Sequence, residues 1–156
     1  MTTRWLDERQ QTAWLAMVGV INQLPNALDS QLRRDSGVTH FEYMVLSMLS
    51  ESPERTLRMT TLAGRTSATL PRLSHVVRRL EDRGLVARHP CPDDARATNA
   101  RLTDAGWELV VAAAPGHVET VRQYVIDALT DEQVAQLAAI NQAILGRLDP
   151  RAARDD

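Results

Sequence analysis

The 156-residue sequence predicts a mainly helical fold carrying one small β-hairpin. Three observations predict it. Apolar residues recur at three- and four-residue steps through most of the chain, the period of a helix with one buried face. Helix-start patterns recur too: Thr39 precedes Glu42 by three positions, and Thr130 precedes Gln133 by three. Only residues 85–102 break the helical period, as two short runs around a turn rich in proline and aspartate.

Taken in order, residues 5–34 read as a long helix, with Trp14, Met17, Val18, Ile21, Leu24, Leu28 and Leu32 along one side. Pro25 inside that pattern is expected to kink the helix or split it. Asp35-Ser36-Gly37 ends it. A second helix runs from the Thr39 cap to about Ser50, with Phe41, Met44, Val45, Met48 and Leu49 inward. A short helix follows, about Arg58 to Arg65. Thr69 then caps a helix whose second residue is Pro71, where a missing N–H costs nothing. Leu73, Val76, Val77 and Leu80 give this helix a buried stripe, and Gly84 closes it. Residues 85–89 and 98–102 read as two strands, joined by a turn at 90–95. From Thr103 another helix is expected to run to about Ala128, interrupted at Pro115-Gly116. The last helix starts at Thr130 and places Val134, Leu137, Ile140, Ile144 and Leu145 on one side. Residues 149–156 read as a polar, frayed tail.

Composition narrows the function. Hydrophobic residues make up 44% and charged residues 24%, which fits a folded globular chain. No apolar run approaches the ~20 residues of a membrane span. The polar opening run does not read as a signal peptide, so the expected location is cytoplasmic. A single cysteine, Cys91, excludes a disulfide framework and a Cys-rich zinc site. The four histidines show no close ligand spacing, so no metal and no cofactor is expected. No phosphate loop, glycine fingerprint or nucleophile elbow is present, and the chain reads as a non-enzyme with no catalytic residues.

Charge is unevenly placed. Every basic residue is arginine, and the chain carries a net charge of -2. Between residues 55 and 104, ten arginines face five acids; elsewhere eight arginines face fifteen acids. A basic middle between acidic flanks suits a polyanion. The middle is also where three helices precede a hairpin, the order of a winged helix-turn-helix. The third of those helices would enter a DNA major groove. Its outward side carries Arg72, Ser74, His75, Arg78 and Arg79, and arginine can pair with two acceptors on one guanine edge. Arg78 and Arg79 could instead pair with Glu81, Asp82 or an acid of another subunit.

Several segments together resemble the MarR (multiple antibiotic resistance regulator) family. They are Arg79-Leu80-Glu81-Asp82-Arg83-Gly84-Leu85-Val86, then Pro92-Asp93-Asp94-Ala95-Arg96, then Leu102-Thr103-Asp104-Ala105-Gly106. The helix around residues 39–49 and the run Leu129-Thr130-Asp131-Glu132-Gln133 add to the resemblance. It implies a homodimer that binds a pseudo-palindromic DNA operator, acts as a repressor, and is relieved by a small, often aromatic or phenolic, effector. It also implies dimerisation helices at 1–36 and 104–156 around a DNA-binding unit at 37–103. By position, it places Thr69, Leu70, Pro71, Arg72, Ser74, His75 and Arg79 against DNA. Asp94 and Arg96 match a wing pair in which the arginine enters the minor groove. Ala95 stands where many members carry a second arginine, and His75 where a basic residue is common. A histidine there would make DNA contact sensitive to pH. Trp14, Met17, Phe41 and Met44 are the candidate effector-lining residues. Two alternatives stay open: a winged-helix protein–protein adaptor without DNA binding, and an oxidant-responsive regulator working through Cys91.

Overall fold

The computed structural model describes residues 2–149, so all of the tail expected at 149–156 except Asp149 lies outside the described residues. Six α-helices and three strands follow one another: α1 (Glu8–Ser36), α2 (His40–Ser50), β1 (Thr56–Arg58), α3 (Met59–Arg65), α4 (Leu70–Asp82), β2 (Val86–Cys91), β3 (Asp94–Leu102), α5 (Asp104–Tyr124) and α6 (Asp131–Leu148). Single 3-10 turns lie at Pro53–Arg55 and Ile126–Ala128. Among the described residues, no helix is long and apolar enough to cross a membrane.

Local chemistry explains most helix ends. Reciprocal capping boxes open three helices: Asp7 with Gln10, Thr39 with Glu42, and Thr130 with Gln133. Thr69 and Thr103 cap α4 and α5 through side-chain oxygens that accept from Arg72 N and Gly106 N. Gly84 follows α4 at φ 72, a left-handed conformation that suits glycine, and Leu85 N donates back to the Leu80 carbonyl. Gly106 answers a different need. A Cβ there would collide with the Leu85 carbonyl oxygen and the Leu102 side chain, so α5 sits against the hairpin only because that atom is missing.

Four expectations are corrected. Pro25 does not split the first helix, which runs unbroken from Glu8 to Ser36. Pro115 likewise lies inside a continuous α5. Each proline removes one N–H and orphans the carbonyl four residues earlier, on Ile21 and Val111. Both helices nevertheless continue past the gap without a break. The fifth helix also ends at Tyr124 rather than near Ala128. The hairpin is longer than expected and joins a third strand: β1 and β2 both pair antiparallel with β3, in the order β1-β3-β2.

The core is built from all these layers. Leu46, Leu49, Leu62, Leu73, Leu80 and Leu102 are fully buried around the junction of α2, α3, α4 and the sheet. The cluster reaches into the long helices through Leu32 on α1 and Val110 and Ala113 on α5. The stripe on α4 is buried throughout: Leu73, Val76, Val77 and Leu80. That stripe fixes α4's rotation and leaves Arg72, His75, Arg78 and Arg79 on the solvent side.

Candidate nucleic-acid interface

The outward side of α4 begins at its cap. Thr69, Leu70, Pro71, Arg72 and His75 are exposed, and Ser74 is half-buried. Ser67, at φ 53, turns the chain between α3 and α4, and the buried Thr66 hydroxyl donates to the Leu62 carbonyl at 2.8 Å. These contacts set the angle at which α4 projects. On the other side stands the wing, the β2–β3 hairpin. Its tip is shaped by Asp94, whose carboxylate accepts from the backbone N of Arg96 at 3.0 Å. Between α3, α4 and the wing lies a cavity of about 230 Å³, lined by Arg58, Thr60, Ser74, Arg88 and Arg96 among others. Arg58 and Arg96, with the hydroxyls of Thr60, Ser74 and Thr98, give this groove donors suited to an anion, while Arg88 is already paired with Glu81.

Six of the ten arginines between residues 55 and 104 divide into two sets. Arg79 pairs with Glu42 at 3.3 Å, and Arg83 with the same carboxylate at 3.8 Å. Neither Glu81, Asp82 nor another subunit is needed to hold Arg79. Arg83 also donates to the Gly37 carbonyl at 3.0 Å, tying the end of α4 to the end of α1. Arg88 donates to Glu81 at 2.6 Å and to the Ser74 hydroxyl at 3.2 Å, tying β2 to α4. These three cations brace the fold. The second set holds Arg72, Arg78 and Arg96, whose guanidinium groups have no hydrogen-bond acceptor among the described residues. Arg72 instead lies over the Phe41 ring, 4.2 Å from its centroid.

Glu42 is the residue the sequence reading undervalued. It was read as half of a capping box. It is also a buried carboxylate, 3% exposed, shared by two α4 arginines. Its other partners lie thirty-seven or more positions away, so no local pattern signals them. Arg58 and Arg88 were likewise not singled out as groove residues.

The four candidate effector residues line neither of the two cavities described in this subsection. Trp14 is about half exposed on α1, Met17 is half-buried on the same helix, and Phe41 and Met44 lie on α2. A cavity of about 600 Å³ is lined by α1 and the α5–α6 connection, including Val20, Leu24, Tyr124, Leu129 and Leu137.

Two further groups stand out by chemistry. His117 on α5 stacks on His40 at 5.9 Å and meets the Tyr43 ring at 4.6 Å. Burial holds both histidines below their ordinary pKa; the Asp29 carboxylate partly opposes this at His40, and His40 adds to it at His117. Cys91 is buried at the wing, and the backbone N–H of Asp93 holds its thiol below the usual range. Burial opposes that shift, while Asp94 N–H and the Arg58 cation add to it. Among the described residues, no cluster of three or more His, Cys, Asp or Glu is placed to hold a metal.

Fold and surface together define a winged helix-turn-helix protein with an exposed basic groove helix. The sequence profile of the MarR family matches residues 36–97. Sco3205, a MarR family transcriptional regulator from Streptomyces coelicolor crystallised in complex with DNA, is 44% identical with a TM-score of 0.93. That match covers 97% of this chain and 94% of Sco3205. AbsC, a MarR family regulator from the same organism, is 37% identical with a TM-score of 0.89, over 94% of this chain and 98% of AbsC. The HTH-type transcriptional repressor Rv2887 of Mycobacterium tuberculosis is 39% identical over 88 residues, 53% of this chain. The match spans 62% of that repressor's length. The chain belongs to the MarR family. Its relatives are transcriptional regulators, not enzymes.

Proposed function

We propose that the chain is a homodimeric repressor that binds a pseudo-palindromic double-stranded DNA operator. The observation that carries this reading is the division of the arginines. Internal acids, a carbonyl and a hydroxyl hold Arg79, Arg83 and Arg88, while Arg72 and Arg78 on the solvent side of α4, with exposed His75, and Arg96 on the wing have no acceptor among the described residues. Thr69, Leu70, Pro71, Ser74 and His75 border the same face, and Asp94 orients the wing that carries Arg96. Sco3205, a relative at 44% identity, was crystallised with DNA, which supports the same use of this surface.

A second copy suits the long helices. α6 buries no residue in the single chain, and Ile21, Val111, Val118, Ile140 and Leu145 are each more than half exposed. A surface that apolar favours a symmetric partner. Two groove helices then read half-sites centred ~10 base pairs apart, or a close multiple. Relief by a small aromatic effector belongs to the same reading. The open apolar cavity beside Tyr124 has the volume such a molecule needs. It is a second candidate place for such a molecule, in addition to Trp14, Met17, Phe41 and Met44.

The test is titration against the upstream intergenic DNA at two salt concentrations, with random duplex as competitor. Tight binding that survives competitor and weakens steeply with salt is expected. Replacing Arg96 with Ala should lower the salt slope by about 1 with little change in sequence preference. No binding at low salt would favour the protein–protein adaptor, for which the alanine at 95 is the one supporting feature. Titration repeated after peroxide treatment, on the parent and on Cys91→Ser, tests the oxidant-responsive alternative.

A further inference from the structure

We propose that Phe41, on α2, is a positioning residue for sequence reading: its ring is a platform that holds Arg72 ready for one base. The inference rests on the DNA-binding reading above and adds to it a residue that touches no DNA.

Phe41 stands on a stiff support. The turn that carries it, residues 39–42, is held from three directions. Within the turn, Glu42 and Thr39 satisfy each other's backbone N–H groups at 2.9 and 3.0 Å. From α1, the Asp29 carboxylate accepts from His40 N at 2.9 Å. From α4, Arg79 and Arg83 converge on Glu42. The ring itself packs against the hydrophobic core. Phe41 therefore has little freedom to move relative to α4.

Arg72 is the complementary half. It is the third residue of α4, and its backbone N–H is already engaged by the Thr69 hydroxyl at 3.3 Å. Its guanidinium lies over the Phe41 ring at 4.2 Å and has no acceptor among the described residues. A cation held over an aromatic face occupies no hydrogen-bond acceptor, so donors of the fork remain for a base. A long arginine side chain otherwise samples many rotamers, and each must be given up on binding. Holding the fork against a fixed ring removes part of that cost before DNA arrives.

The test uses the full chain and a duplex pool randomised across both half-sites. The parent selects its preferred sequence from the pool, and single-base variants of that duplex are then titrated. Phe41→Leu should lower discrimination at one base pair per half-site by about two- to fivefold, the size of a half-exposed cation–π contact. The other positions should keep their preference. Phe41→Tyr, which retains the ring, should restore discrimination. In an Arg72→Ala background, Phe41→Leu should change nothing further at that base pair.

Each other outcome overturns the proposal. Uniform weakening at every position, in both backgrounds, would make Phe41 a packing residue only. Unchanged discrimination would remove the platform. Tighter binding by Phe41→Leu would mean that the ring withdraws Arg72 from DNA. If the parent selects no sequence, the DNA-binding reading fails and takes this proposal with it. A parent that selects while Phe41→Leu matches it overturns the proposal alone.

Discussion

The short helices and the long ones solve the burial problem differently. In α4, thirteen residues supply four fully or nearly buried side chains, all against neighbours in the same chain. In α6, eighteen residues supply none. α1 lies between: its C-terminal end contributes Leu28, Gln31 and Leu32 to the interior, while Trp14, Leu15, Val20 and Ile21 remain exposed. The winged unit is finished by one chain. The long helices carry apolar surface that one chain leaves open. A groove helix must hold its angle against DNA, and a self-contained core secures that rigidity. An interface helix must instead keep its apolar face for a partner.

The largest effect should come from the open side. Ile140→Asp combined with Leu145→Asp should give a monomer in sedimentation, with specific DNA affinity down by at least about a hundredfold as the second half-site contact is lost. The helical far-ultraviolet circular dichroism signal should persist. A variant that stays dimeric would break the contrast. Next comes the closed side. Leu73→Ala should cost about 2–5 kcal/mol in chemical denaturation, because the fully buried site cannot collapse completely. Leu148→Ala, at a residue 75% exposed, should stay within about 0.5 kcal/mol.

The smallest effect should come from the seam between the two regions, where His40 meets His117. Burial lowers both pKa values, so the neutral forms belong to the packed state. An unfolded chain takes up protons at the ordinary histidine value near 6.5, before the folded chain does. Stability is therefore full above that value and falls as the pH drops below it, down to the lowered folded values. Thermal midpoints should decline modestly from pH 7.5 to pH 5, and His117→Phe should flatten that decline. Asp29 and Asp35 also have lowered values, but from below the carboxylate reference of 3.8, so their loss falls in a separate and more acidic window.

Much of the architecture was legible because it is written in short-range chemistry. Thr39 and Glu42 are three residues apart, as are Thr130 and Gln133, and each pair closes its own hydrogen bonds. The α4 stripe repeats at the helical period, so its buried side and its basic side could both be named in advance. The same reasoning missed the box formed by Asp7 and Gln10, although its spacing is identical; aspartate caps as well as threonine does. It also expected the prolines to interrupt their helices, whereas one lost hydrogen bond leaves each helix continuous.

The site was legible in residue type but not in partnership. The basic helix face and the Asp94–Arg96 wing turn could be named from the chain, because the burial pattern of one helix and an aspartate two positions before an arginine are local facts. Which arginines were free could not. Arg79 looks no different from Arg72 along the helix, yet one is held by Glu42 and the other lies on Phe41. Both partners come from α2, some thirty residues earlier. Ion pairs and ring contacts across that distance depend on how α2 crosses α4, and the crossing is set by the summed packing of Leu46, Leu49, Leu73 and Val77 rather than by any local pattern. Helix identities, caps and the polarity of each face thus follow from neighbours in sequence. The division of equal charges into braces and probes follows from neighbours in space.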